Sequence, residues 1–243
     1  MFATPQIAPV GLSGVLVSFA DRLEDRANIA AISLRAQIDA LAWPEITETA
    51  STLVSTYLAV DLVTTPFEEI AARLQPLLSA RDWHDIALPG GRKLWTLPMC
   101  FGTERAPQLA DTCQAAGLSE AQGKAALMAA RTRVITLGYA PGQPYLGLLG
   151  EVWNVPRQTD LTPQVPAGAL VLAIRQFVLF TAAMPTGWRH VGQTAFRPFD
   201  AERGQRGAFR PGDEGRFEAI SRQELEALEA GDSWGGATWE ALP

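Results

Sequence analysis

The side chains of this chain with the most direct chemical use are two histidines, two cysteines and a cluster of aromatic residues among glycines and prolines. His84 stands in Trp83-His84-Asp85, where Asp85 would orient it as a base. Adjacent residues rarely face each other, so an exposed loop histidine is the simpler reading. His190 follows Trp188 and Arg189 in a turn-rich region, where loops commonly carry binding residues, with a hydrogen-bonded structural histidine as the alternative. With 2 histidines and 2 cysteines in all, a multi-histidine metal centre is excluded within one chain and the paired cysteines of a zinc site are missing. No metal site is expected, and Cys100 and Cys113 read as buried structural thiols.

Nucleotide-binding and hydrolase signatures are absent. The stretch nearest to a phosphate-binding loop, residues 117–125 (GLSEAQGKA), is one residue too long and lacks a hydroxyl after Lys124. Neither Gly-x-Gly-x-x-Gly nor Gly-x-Ser-x-Gly occurs. The segment 137–147, with Tyr139, Pro141, Gly142, Gln143 and Tyr145, is too long and too rich in Gly and Pro for a minimal chain reversal. On a rigid scaffold such a loop suits a binding surface as well as a structural turn.

The elements that must position these residues fall into two parts. Residues 14–19 (GVLVSF) and 52–60 (TLVSTYLAV) read as strands, and residues 25–41 as a helix with Ala27, Ala31, Leu34, Ile38 and Leu41 on one face. Thr65-Pro66-Phe67-Glu68 reads as a capping box opening a second helix, striped by Phe67, Ile70, Ala71, Leu74, Leu77 and Leu78. This alternation predicts a small α/β domain over 1–92, a sheet with helices on one face, ending near a Pro-Gly-Gly turn. Residues 94–100 should be a strand, followed by a helix over 107–116 stopped by Gly117 and another opened by Ser119-Glu120-Ala121-Gln122. From Arg133 short apolar runs at 133–137, 169–174, 177–180 and 215–219 alternate with Pro-Gly turns, which predicts a β-barrel or sandwich over 93–220. A last helix over 221–230 and a tail carrying Trp234 and Trp239 complete the region 221–243.

Composition narrows the function classes. Of 243 residues 47% are hydrophobic and 19% charged, with net charge −6, which describes a chain with a well-supplied core and no basic face for nucleic acid. The acidic excess lies in the first 92 residues and from Glu214 onward, leaving a mildly basic segment between. The uncharged run 134–150 is interrupted by Pro141 and Pro144 and is too short to span a membrane. No Lys or Arg precedes Arg22, so the basic region of a secretory signal is missing and the cytoplasm is the expected compartment.

The segment 137–149, then Val155-Pro156-Arg157, Val165-Pro166-Ala167-Gly168, Gly187-Trp188 with Val191-Gly192-Gln193-Thr194, and Pro211-Gly212-Asp213 with Arg216-Phe217 resemble, in order, the motifs of one family. It is the family of the 5-oxoprolinase B subunit, also called allophanate hydrolase subunit 1 or the C/D part of the carboxyltransferase domain, and it includes a bacterial inhibitor of a sporulation sensor kinase. Residues 97–102 (LPMCFG) resemble the family's Pro-Val-x-Tyr-Gly-Gly strand end. The resemblance implies an α+β fold in which a small α/β domain precedes a cyclophilin-like β-barrel. It also implies a partner, a carboxyltransferase-type subunit like the 5-oxoprolinase C subunit or allophanate hydrolase subunit 2, and ATP used through the complex. By the same resemblance Asp213 and Arg157 are the catalytic candidates, Asp213 having turn capping as its structural alternative. Tyr139, Pro141, Gly142, Tyr145, Gly168, Trp188 and His190 are the substrate-binding candidates.

Departures from the family pattern are as informative as the matches. Gln143 replaces a phenylalanine, and Gln158, Gln164 and Gln193 stand where the family has arginine. A histidine expected upstream of the aromatic loop is absent from 125–130 (AALMAA). Glutamine keeps hydrogen-bond donors but loses the fixed charge and fork that hold an anion, and each charged hydrogen bond lost weakens an anion site by about 1.5–3 kcal/mol. Two functions are therefore expected: a subunit of an ATP-dependent amide hydrolase, inactive alone, or a non-catalytic binding or regulatory protein like the kinase inhibitor.

Overall fold

The computed structural model describes residues 1–204 and 206–242. Its backbone contacts separate two compact units, Met1–Gly90 and Gly91–Pro243; Pro243, the end of the expected tail, lies outside the described residues.

In the first unit strands β1 (Gln6–Val10), β2 (Gly14–Ser18), β3 (Glu48–Ser51) and β4 (Ser55–Ala59) form an antiparallel sheet in the order β1-β2-β4-β3. Helix α1 (Asp25–Leu41) buries Ala27, Ala31, Leu34 and Ile38 against Val15, Val17 and Leu58, and α2 (Phe67–Ser79) adds Ile70 and Leu74. Two expectations need correction. The run 52–60 is not one strand: Thr52 N–H donates to the Ser55 carbonyl (2.8 Å), making a hairpin turn between β3 and β4. The capping box at Thr65 does not form, because Pro66 occupies the N-cap position and no side chain caps the helix. Thr65 instead donates its N–H to Asp61 in the preceding turn. Strand β1 is an edge strand containing Pro9, and a proline reads as a strand breaker except at an edge.

The second unit contains β5 (Lys93–Phe101), helices α3 (Leu109–Ala115) and α4 (Glu120–Ala129), and strands β6 (Thr132–Leu137) and β7 (Pro144–Gly147). Then come β8 (Thr162–Val165), β9 (Ala169–Ala173), β10 (Gln176–Leu179), β11 (Met184–Thr186), β12 (Arg189–Gln193), β13 (Glu214–Ala219), α5 (Arg222–Glu229) and β14 (Thr238–Ala241). Following hydrogen bonds, the order β12-β9-β10-β7-β6-β13-β5 returns to β12 and closes a barrel. Closure rests on the pairs Gly192–Phe101 and Gln193–Cys100, and the first half of the same β5 edge is covered by β14. The tail thus contributes a strand, with Trp234 packed on the core and Trp239 half exposed on β14. The α+β class with a β-barrel, expected from sequence, is the class observed.

Alternation along β5 sends Trp95, Leu97, Met99 and Phe101 into the barrel core, where they meet Leu170, Leu172, Phe177 and Phe217. Strand β9 is buried throughout because its other face, Ala169, Val171 and Ala173, packs outside the barrel against Val165, Val178, Phe180 and Trp188. A strand covered on both faces reads as an unbroken apolar run, which is how 169–174 appears in the sequence. Strands β8 and β11, paired with each other outside the barrel, were missed because they are short and carry Pro163 and Pro185.

Helix α4 opens with the expected capping box at Ser119, while α3 starts at Leu109, two residues later than predicted, because Gln108 bonds elsewhere. The two helices interlock at Gly123, where a Cβ would lie 2.1 Å from the Sγ of Cys113. Burial pushes the Cys113 thiol up, aided by the charge of Glu120. Gly123→Ala is expected to overpack this contact and lower unfolding stability by about 1–3 kcal/mol in a urea titration.

Candidate functional site

The candidate site grows from an irregularity in β12. His190 lies opposite Val171 and Gly192 opposite Leu170, so Val191 is one residue extra and the strand bulges there. Val191 enters the barrel core. The bulge resets the alternation, and Gln193, opposite Ala169, returns to the outer face that His190 occupies beside Val171. A regular strand would have put these two residues on opposite faces.

Trp188, just before β12, anchors the outer apolar cluster. Its N–H donates to Thr186 Oγ1 (3.0 Å), and its ring meets Tyr145 of β7 edge to face, with centroids 6.2 Å apart. The Arg157 guanidinium lies 5.3 Å from the Trp188 ring centroid, a cation–π contact that holds a planar cation without neutralising it. Burial raises the Tyr145 phenol above its ordinary range, opposed by the Arg157 charge and by Gln143, while Tyr139 acts in the same direction as burial. Tyr139, 80% exposed at φ +70°, and exposed Arg157 form the open side of this shelf. Four of the predicted residues, Tyr139, Tyr145, Arg157 and Trp188, therefore come together.

Beneath the shelf lies a neutral amide network. Gln158 donates its N–H to the Gly187 carbonyl (2.7 Å), and its Nε2 donates to the Trp188 carbonyl (3.1 Å) and to Thr162 Oγ1 (3.3 Å). Its Oε1 accepts from Gln108 Nε2 at 2.7 Å. Gln108 Oε1 in turn accepts the His190 N–H at 2.7 Å. Gln193 Nε2 donates to the Ala167 carbonyl (2.8 Å), and Gln164 lies exposed on β8. Gln158 and Gln193 thus hold backbone in place where the family pattern has arginine. Gln108 and Thr162 were missed because nothing local in a Pro-Gln-Leu or Leu-Thr-Pro sequence marks a long-range amide partner.

His190 is buried, and among the described residues its Nε2 and the Oε1 of Gln193 make no well-formed hydrogen bond. Burial lowers the His190 pKa, against opposing pulls from the Gly192 backbone and the nearby Gln193 side chain.

The remaining predicted residues sit in turns. Pro141 and Gly142 form the corner of a turn closed by Gln143 N–H to the Ala140 carbonyl (3.1 Å), with Gly142 at φ +65° against Phe199. Gly168, at φ +79°, has no room for a side chain, since a Cβ would lie 2.2 Å from the Thr194 carbonyl oxygen. Asp213 is buried where β5, β6 and β13 meet; Oδ1 accepts the Lys93 N–H (2.8 Å) and Oδ2 the Arg210 N–H (2.9 Å). Burial raises its carboxyl above the ordinary range, and those two N–H donors pull against it. Among the described residues no contact joins Asp213 to Arg157. His84 lies half-buried in a 3-10 turn of the first unit, Trp83–Asp85, and both cysteines are free and buried. Among the described residues no three His, Cys, Asp or Glu side chains gather as a metal site, and no helix is long and apolar enough to cross a membrane.

Known proteins share this architecture. The family described as carboxyltransferase domain, subdomain C and D, matches residues 5–209. The 5-oxoprolinase B subunit of Bacillus subtilis (strain 168) is 24% identical over 234 residues, covering 91% of this chain and 95% of that one. The protein of the same name from Escherichia coli O157:H7 is 36% identical over 138 residues, 56% of this chain and 63% of that one. Among solved structures, the urea amidolyase of K. lactis superposes with a TM-score of 0.74 at 16% identity, and the match covers 98% of this chain but only 16% of that larger protein. At that identity the likeness establishes the fold alone.

Two outcomes follow for the buried ionisable groups. Asp213→Ala strands two backbone N–H groups and should cost about 2–5 kcal/mol in chemical denaturation. A variant as stable as wild type but devoid of activity would make Asp213 catalytic instead of a clamp. Because burial favours neutral His190, the unfolded chain takes up that proton first. Its contribution to stability is complete above the unfolded pKa of about 6.5 and declines as pH falls through it toward the folded value. The urea midpoint should therefore drop more between about pH 7.5 and 5.5 in wild type than in His190→Leu; parallel profiles would contradict this.

Proposed function

This chain belongs to the carboxyltransferase domain, subdomain C and D family, and from that premise we propose that it is one subunit of an ATP-dependent 5-oxoprolinase or allophanate-hydrolase-like amide hydrolase. The observation that carries the reading is the exposed Arg157 guanidinium stacked on Trp188 beside Tyr145, in a chain aligned with nearly the whole of a protein named as the 5-oxoprolinase B subunit. The shelf offers a small carboxylate one cation and a flat aromatic floor. It is open at Arg157 and Tyr139, and a shallow surface buries too little of a small ligand to hold it. The missing wall falls to a carboxyltransferase-type partner like the 5-oxoprolinase C subunit or allophanate hydrolase subunit 2. ATP enters this proposal through the complex, since the chain carries no phosphate-binding loop of the Gly-x-x-x-x-Gly-Lys type. Cytoplasmic residence belongs to the same reading.

A second reading has one specific support. Gln158 and Gln193 use their amides on neighbouring backbone, so at these positions the surface lacks the charge that a catalytic anion site would use. In that reading the shelf is a docking surface of a regulatory protein, and the natural target is a kinase or the barrel partner.

Both are tested by one reconstitution. Combined with its partner subunit and the further protein that completes such an ATP-dependent system, the chain should support 5-oxoproline-dependent ATP hydrolysis, and alone it should support none. Arg157→Ala should lower kcat/KM by about ten- to a hundredfold, the loss of one charged hydrogen bond. Ring opening by the single chain would overturn the split-site reading. A stable complex without turnover, together with inhibition of a sensor kinase, would favour the regulatory one.

A further inference from the structure

We infer that Gln108 is the positioning residue for Arg157. Among the described residues the Arg157 side chain has no hydrogen bond or ion pair, so its place over Trp188 is set by its backbone and by the stacking contact. That backbone is anchored on both sides. Arg189 donates to the Pro156 carbonyl, and Gln158 donates its N–H to the Gly187 carbonyl (2.7 Å). Both anchors lead to the segment before and at the start of β12. The third attachment is the Gln158 side chain, whose amide is gripped at both ends, its oxygen by Gln108 and its NH2 by the Trp188 carbonyl.

Gln108 precedes α3 and joins three parts of the barrel unit. Its N–H donates to the His190 carbonyl (3.1 Å) and its Oε1 accepts the His190 N–H (2.7 Å), so it pairs with β12 as a further strand residue would. Its Nε2 then reaches Gln158 Oε1 (2.7 Å) and Thr162 Oγ1 (3.3 Å). Because Gln108 supplies a donor, Gln158 must present its oxygen there and aim its NH2 at the Trp188 carbonyl and Thr162. The loop bearing Arg157 is thereby tied to β12, the strand that closes the barrel. An alanine at 108 would leave the buried His190 N–H without its acceptor and the Gln158 Oε1 without its donor, so the Arg157 loop would lose one of its ties to β12.

The consequence for activity rests on the reading of Arg157 as the substrate contact, whereas the tethering itself does not. Tethering is measured on the full chain by limited trypsin digestion, comparing cleavage after Arg157 with cleavage after exposed Arg206 in the same sample. Gln108→Ala should raise that ratio about tenfold, the effect of one net hydrogen bond on a local opening equilibrium. Gln108→Glu, which keeps the acceptor for His190 and removes the donor to Gln158, should raise it too, and it serves if the alanine variant fails to fold. An unchanged ratio in a folded variant overturns the proposal. In the reconstituted complex, Gln108→Ala should lower kcat/KM for 5-oxoproline about tenfold, but less than about twofold in an Arg157→Ala background, since the two act through one group. Equal losses in both backgrounds would mean that Gln108 acts only on general stability and would overturn it. If the wild-type complex opens no 5-oxoproline, the functional reading fails, and the cleavage ratio alone decides the tethering.

Discussion

The barrel unit depends on one strand having three partners. β5 is bonded along one edge to β13, in parallel, and along the other first to β14 and then to β12. An open edge would expose unpaired N–H and C=O groups, and closure removes it. Yet closure is made by only two residue pairs, at Phe101 and Cys100, so it tolerates little misplacement. At the other end of the same strand, Asp213 accepts the Lys93 N–H and fixes where β5 begins relative to β13. A buried carboxylate is costly unless hydrogen-bonded, and here its donors are the backbone groups whose register it sets. Asp213 thus clamps the start of β5 against β13 through backbone hydrogen bonds.

The proposed binding surface lies on the strand that completes closure. β12 must place Gly192 against Met99, where a Cβ would lie 2.8 Å from the sulfur, and the extra residue Val191 fills the core. The bulge that allows this also turns His190 and Gln193 to the outer face, beside Val171 and Ala169 of the cluster that Trp188 anchors. Barrel closure and site construction are therefore one event in the chain. The resulting floor is apolar and amide-lined, and Arg157 brings a positive charge to its edge. In the proposed reading such a site would discriminate by shape and by a single ionic contact, where several arginines would give stronger anion binding.

Much of this was legible in the sequence where local chemistry dominates. The apolar stripe of α1, apart from the exposed Leu41 at its end, and the capping box of α4 need only neighbours within one or two turns, and both formed. The ordered Gly and Pro motifs located the barrel turns, because left-handed positions such as Gly168 and Gly142 demand glycine. What was hidden depends on partners far along the chain. The Thr65 box matched its pattern but lost to the Asp61 turn. Strands β8 and β11 take their identity from pairing with each other, and Gln108 meets its partners 50 and 82 residues away. At Gln158 and Gln193 the sequence revealed lost charge, while only the structure shows both amides holding backbone in place.

The most direct measurement is a crystal structure of this chain assembled with its partner subunit and soaked with 5-oxoproline. The expected result is the ligand carboxylate against the Arg157 guanidinium, its ring over the Trp188 and Tyr145 shelf, and both Asp213 oxygens still accepting the Lys93 and Arg210 N–H groups. Ligand bound instead at Asp213, with either of those hydrogen bonds released, would contradict the assignment of Asp213 as a clamp and of the shelf as the site.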